Sequence, residues 1–192
     1  PSKIMTRKAF ENAVIVASAI GGSSNCTTHL SAIAKHMGIK FDLSNWQKLG
    51  HEIPLLVNCQ PAGEYLMESF YRAGGVPAVM QELIKHKKIH TNIMTVSGKT
   101  VGSNLKRKIE TDKKVIKTFK DCLTEKAGFL VMKSNFFDSA IMKTSVISKD
   151  FRKRYLSNPK HLNVFLGKAV VFEGPEDYHK RIDSKKLNID EN

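Results

Sequence analysis

A few side chains in this 192-residue sequence stand where they could do chemistry. The run Gly21-Gly22-Ser23-Ser24-Asn25-Cys26-Thr27-Thr28-His29-Leu30 closes one helical pattern and opens another. Its backbone can therefore approach a ligand closely and aim the free N–H groups of a helix start at it. The same residues also read as a tight helix–helix connection capped by the glycines and Asn25, and Gly-Gly-Ser-Ser lacks the spacing of either phosphate-loop signature. His29 reads as facing that loop or as a packing histidine. Glu64 and Glu68, one helical turn apart, could hold a divalent ion or form a solvated pair. Lys143 interrupts the apolar run Ala140 to Val146, either as an edge-strand lysine or as a buried functional amine. Cys26, Cys59 and Cys122 are single and far apart, which suggests reduced thiols and neither a disulfide framework nor a zinc site. No nucleophile elbow, His-Glu-x-x-His or Walker loop is present.

The elements that must position these residues follow from periodicity. Thr6 can cap a helix running to about Ala19, and Leu30, Ile33, Ala34 and Met37 define a second that ends at Gly38. Asp42 or Ser44 caps a short helix around Trp46 and Leu49. Leu55-Leu56-Val57 reads as a buried strand, and the loop Asn58 to Gly63 follows it at the end where α/β folds place ligands. Glu64 to Ala73 reads as a helix closed by Gly74-Gly75, Pro77 opens another through Ile84, and Ile93 to Val96 reads as a strand before a turn capped by Thr100. Short strands are expected at 129–132, 140–142, 146–147 and 169–172, with helices over 150–156 and from Pro175 to Arg181. The chain is expected to end at 188–192 without a closing strand. The fold class expected is α/β: residues 1–104 form a partial α/β domain, 105–126 a charged linker, and 127–192 the start of a β-rich, barrel-like domain.

Lys and Arg number 31 against 18 Asp and Glu, a formal charge of +13. Such a field favours nucleic acid or anionic surfaces non-specifically. The lysine-rich run 106–120, however, carries a single aromatic, Phe119, and a single arginine, Arg107. A solvated face therefore competes with a basic nucleic-acid-binding module as its reading. No apolar run reaches the length of a membrane span, and the start has no secretory pattern, so the expectation is a cytoplasmic chain without a membrane partner.

Several stretches, in order, resemble the dihydroxy-acid and sugar-acid dehydratase family. They include Ile4-Met5-Thr6-Arg7, Gly21-Gly22-Ser23-Ser24-Asn25 with His29-Leu30, and Gln60-Pro61-Ala62-Gly63-Glu64-Tyr65. Arg72-Ala73-Gly74-Gly75-Val76-Pro77-Ala78-Val79-Met80, Phe137 through Ser148 and Gly174-Pro175-Glu176-Asp177-Tyr178-His179 continue the likeness. The last two stretches are more similar to the sugar-acid branch, such as arabinonate dehydratase. The resemblance implies a hydro-lyase that removes water from a 2,3-dihydroxy sugar acid to give a 2-keto-3-deoxy acid. It also implies an iron–sulfur cluster acting as Lewis acid, a magnesium ion and a serine base in the complete enzyme.

In family terms the chain is an internal segment: the cluster cysteines and most magnesium ligands belong upstream, and the base belongs downstream. None of Cys26, Cys59 and Cys122 matches a ligand position. The expectation is a segment that binds no cofactor and is inactive alone. Its partners would be the missing amino- and carboxyl-terminal segments of the same enzyme or further copies in a homo-oligomer, with a small sugar acid as substrate. Gly22, Ser23, Ser24, Asn25, Lys143 and Thr144 are the candidates for its pocket wall.

Overall fold

The computed structural model describes residues 1–161 and 164–187, so the expectation for 188–192 lies outside the described residues. The chain divides into two compact units, Pro1–Val146 and Ile147–Asn192. In the first, helix α1 (Arg7–Ala19) lies between two apolar clusters. Phe10, Val14 and Ala17 join Phe41, Trp46 and Phe129 on one side, whereas Ile15 and Ala19 join Leu56, Val79 and Leu83 on the other. A helix that is apolar over most of its circumference is buried, and α1 touches α2 (Asn25–His36), α3 (Leu43–Gly50) and α5 (Gly75–Lys85).

The predicted helix starts are largely found, with local differences. Thr6 occupies the N-cap of α1, but its side chain accepts no capping bond. Asp42, not Ser44, caps α3 in a capping box with Asn45. Helix α4 is confined to Met67–Arg72 because Glu64 and Tyr65 bond back to Asn58 instead. Helix α5 begins two residues before Pro77, and Thr100 caps the single turn α6 (Val101–Asn104) as expected.

The strands differ more. One antiparallel pair forms among the described residues, β1 (Phe129–Met132) with β2 (Ala140–Lys143), as the sequence predicts. Residues 55–57 and 93–96 are not strands; they make isolated bridges only, Leu55 with Thr124, Val57 with Ile116 and Met94 with Thr100. Residues 144–146 form a 3-10 turn, and 169–172 lack strand pairing. The result is a mixed helical fold with a small two-stranded sheet, compatible with α/β.

Residues 105–126, expected as a linker, contribute Val115 and Ile116 to the core. Two adjacent side chains of α5 fasten this stretch. Gln81 donates to the carbonyls of Leu105 (2.8 Å) and Arg107 (2.6 Å) and accepts from the Ile109 N–H (3.1 Å). Glu82, buried, accepts from the Phe119 N–H (3.2 Å) and pairs with Lys85 (2.9 Å). Local periodicity misses such a segment because its anchors lie on another element.

In the second unit, α7 (Lys149–Tyr155) is capped by Ser148, and α8 (Pro175–Arg181) opens on proline with Glu176 and Asp177 in its first turn. Phe151, Tyr155 and Phe165 pack with ring centroids 4.8–5.7 Å apart. No helix among the described residues is long and apolar enough to cross a membrane.

Two stability predictions follow from this packing. A Cβ on Gly128 would collide with the Gly50 carbonyl oxygen, and backbone cannot step aside cheaply. Gly128→Ala should therefore lose roughly 3 kcal/mol in urea unfolding. Gly38→Ala, at φ +69° with open space around it, should lose only about 1 kcal/mol; equal losses would contradict the packing. For Glu82, burial acts to raise the pKa, but Lys85, the Phe119 N–H and His86 outweigh it and the carboxyl titrates below its usual range. A depressed carboxyl stabilises above its unfolded pKa and loses that contribution as pH falls through the folded value. The stability deficit of Glu82→Gln should thus be full at pH 7 and shrink steadily below about pH 4.3; a deficit independent of pH would contradict the assignment.

Candidate functional site

The loop that closes α1 is built by two glycines with separate tasks. The Gly22 N–H donates to the Ala17 carbonyl (2.7 Å) and the Gly21 N–H to Ser18 (3.1 Å), the paired bonds of a Schellman closure with Gly21 at φ +64°. The missing Cβ of Gly21 also admits Leu55: a Cβ there would lie 2.9 Å from Leu55 Cδ1 and 3.5 Å from Ser145 Oγ. Three segments distant in sequence converge on this one residue. At the start of α2 most backbone donors are spent inside the loop. The Asn25 N–H bonds to Ser23 Oγ (3.2 Å), the Cys26 N–H to the Ser23 carbonyl and the Thr27 N–H to Ser24 (both 3.1 Å). The expected free helix-start amides are therefore largely occupied.

Beside this loop lies a cavity of about 440 Å³. Gly21, Gly22, Ser23 and Ser24 line one side, and Cys59, Gln60 and Pro61 of the 58–63 loop another. Met67 and Phe70 of α4 and Lys143 of β2 complete it. The 58–63 loop is held by buried Asn58, whose Oδ1 accepts from the Glu64 N–H (3.0 Å) while Nδ2 donates to the Lys114 carbonyl (3.3 Å). A side chain on Gly63 would collide with Asn58, so this turn is closed around glycine.

Of the six pocket candidates, Gly22, Ser23, Ser24 and Lys143 meet in this cavity. Asn25 is exposed and does not line it, and Thr144 is buried with its hydroxyl donating to the Gly128 carbonyl (2.7 Å). His29 is exposed. Glu68 pairs with Arg72 (2.6 Å), and Glu64 lies outside α4 near Asn58, so the two carboxylates do not act as a pair. Local reading of the sequence missed the apolar wall, Met67 and Phe70, which carries no motif of its own. It also missed buried Ser145, whose hydroxyl beneath Gly21 has no hydrogen-bond partner among the described residues. Cys59, expected to have no ligand role, lines the cavity.

Burial pushes the Lys143 ammonium below its ordinary pKa, with the Cys26 thiol acting in the opposite direction. Burial also pushes the Cys59 and Cys122 thiols up. Cluster binding needs converging thiolates, and magnesium needs converging carboxylates. Among the described residues no three His, Cys, Asp or Glu side chains come together. Cys26 packs on the Trp46 cluster, while Cys59 and Cys122 lie with the other. These residues fit neither an iron–sulfur cluster nor a magnesium ion.

The lysine-rich face offers no open stacking platform on Phe119, whose ring is already stacked on His86 at 4.0 Å and 15°.

Residues 1–104 match the family model described as dihydroxy-acid/6-phosphogluconate dehydratase, N-terminal. The chain is 50% identical to D-xylonate dehydratase of Caulobacter vibrioides over 191 residues, covering 100% of the chain and 32% of that protein. It is 40% identical to L-arabinonate dehydratase of Rhizobium leguminosarum bv. trifolii, over 100% of the chain and 31% of the relative. With dihydroxy-acid dehydratase of Caldicellulosiruptor bescii the identity is 38%, over 97% and 32% respectively. The chain thus spans about a third of the length of the curated relatives it matches.

The raised thiols give a direct test of the cavity wall. The pH–rate profile for iodoacetamide alkylation of Cys59, read by peptide mass spectrometry, should have its midpoint above that of a small free thiol. A midpoint at or below the free thiol would show that Cys59 is not enclosed as described.

Proposed function

Because the chain belongs to the dihydroxy-acid/6-phosphogluconate dehydratase family, we propose that it forms one wall of the substrate pocket of a sugar-acid hydro-lyase. The reaction is dehydration of a 2,3-dihydroxy acid to a 2-keto-3-deoxy acid. The observation that carries this reading is the cavity in which Gly22, Ser23 and Ser24 meet Lys143. Its size suits a small ligand, and its few polar groups are set among apolar walls, as in binding sites generally. The names of the relatives, D-xylonate and L-arabinonate dehydratase, favour five-carbon acids.

In this proposal the iron–sulfur cluster and magnesium ion take their ligands from outside these 192 residues, and the chain is inactive alone. Its partners are the remaining segments of such an enzyme, or further copies in an oligomer, in the cytoplasm. The carboxyl-terminal part would grow into a barrel-like domain from the β1–β2 hairpin. A nucleic-acid-binding module is not favoured, because its one aromatic in the basic run is already stacked.

The purified chain should give no 2-keto acid from D-xylonate or L-arabinonate. A chimera of the Caulobacter D-xylonate dehydratase carrying these residues in place of its matching third should retain dehydration. Turnover by the chain alone would overturn the inactivity, and a folded but inactive chimera would overturn the pocket-wall reading.

A further inference from the structure

A second cavity, of about 420 Å³, lies where the 108–118 stretch folds over α5. Buried Ala78 and Ile116, with half-buried Ile109, give it an apolar base. Lys85, Lys108, Lys113 and Lys117 line it against two acids, Glu82 and Glu110. Glu82 is already occupied, by Lys85 at 2.9 Å and by the Phe119 N–H at 3.2 Å. Lys108, Lys113 and Lys117 make no ion pair among the described residues. Set against Glu110 alone, these three lysines leave an excess of two positive charges in one small space.

The backbone fixes where each of the three begins. Lys108 stands between the Arg107 carbonyl and the Ile109 N–H, and the Gln81 amide holds both, at 2.6 and 3.1 Å. Lys113 sits in a turn that Asp112 closes, its carboxylate accepting from the Lys114 N–H (2.8 Å) and its carbonyl from Val115 and Ile116 (3.1 and 2.9 Å). The Lys117 N–H donates to the Leu56 carbonyl (2.7 Å), which leaves its side chain half-buried. Like charges gathered by fixed backbone repel one another, and a bound anion relieves that repulsion without first ordering the loop.

The chemistry of the donors narrows the anion. All three unpaired cations are lysines, point charges without the planar fork that suits a carboxylate. A single carboxylate would leave part of the excess uncompensated, whereas phosphoryl groups carry nearly two charges each near neutral pH. Phe119 at the end of the stretch is stacked on His86, so no open ring awaits a base.

We propose that this cavity binds a small anion carrying two phosphoryl groups, and that the bound anion clamps the 105–126 stretch onto α5. The inference does not rest on the reading of the Gly21–Lys143 cavity. A ligand that binds the folded chain alone raises its stability, so occupancy would report itself in unfolding.

The test titrates pyrophosphate, orthophosphate, citrate and a short DNA oligonucleotide into the full 192-residue chain by calorimetry. It is run at about 0.15 M salt, where a diffuse surface field is largely screened. Pyrophosphate should bind about ten-fold tighter than orthophosphate or citrate, and Lys117→Met should weaken it about ten- to hundred-fold, as loss of one charged donor does. Lys117→Arg, which keeps the charge and guards against misfolding as the cause, should stay within about three-fold of wild type. Lys3→Met, Lys8→Met and Lys99→Met together, all exposed and outside the cavity, should also stay within about three-fold. In the wild-type chain pyrophosphate should shift the amide resonances of 81–85 and 108–118 and raise the urea midpoint. Equal weakening by the remote triple variant would assign the binding to the diffuse field and overturn the proposal. So would citrate binding as tightly as pyrophosphate, the oligonucleotide binding more tightly at the same amides, or no shift at 108–118.

Discussion

The cavity exists because Gly21 has no side chain. At φ +64° it ends α1 in a conformation that other residues adopt only with strain, and its empty side lets Leu55 and Ser145 come within van der Waals reach. These contacts join three segments: the helix–helix loop, the apolar run ahead of the 58–63 loop, and the turn that follows β2. Since α1 also separates the two apolar clusters, its end is held from both sides. The loop is consequently anchored at its α1 end by packing and backbone bonds, while Ser23 and Ser24 themselves are exposed.

Lys143 lines the cavity beside this anchored loop. In water a lysine amine is satisfied by solvent and says little about partners. Here the inward row of β2 carries it into a space with no acid, and burial lowers its pKa. The same burial holds Cys59 neutral, so the cavity has a single sign of charge. A net charge of +13 spread over the surface would attract many anions weakly. One half-buried cation beside neutral hydroxyls and an amide is a more local feature than that diffuse field.

Helices with regular apolar spacing or a proline start could be read directly: α1, α2, α3 and α8 lie within a few residues of their expected bounds, although of these four only α3 makes a side-chain capping bond. Strands at 55–57 and 169–172 could not, since an apolar run of that length says nothing about whether a neighbour pairs with it. Leu55 and Val57 instead meet the charged stretch through single bridges. That stretch was opaque for the converse reason: Gln81 and Glu82, which fasten it, look like ordinary polar residues of α5. At the site, the glycine–serine loop announced itself by composition. Its convergence with Lys143, more than a hundred residues away, depended on the register of β2, which no local pattern contains.

Binding an acid and binding a metal group call for different side chains. A dehydration that leans on a metal group separates two tasks, gripping the acid and activating the departing hydroxyl, and they need different donors. A cation, hydroxyls and an apolar wall meet in one cavity of the first unit. Activation requires several thiolates or carboxylates converging on one point, and the described residues bring no such set together. Burial raises the pKa of Cys59 and Cys122, the opposite of what a ligand thiolate requires. The chain covers about a third of the length of these relatives, and within it the glycine–serine loop, the 58–63 loop and the end of β2 meet at one cavity.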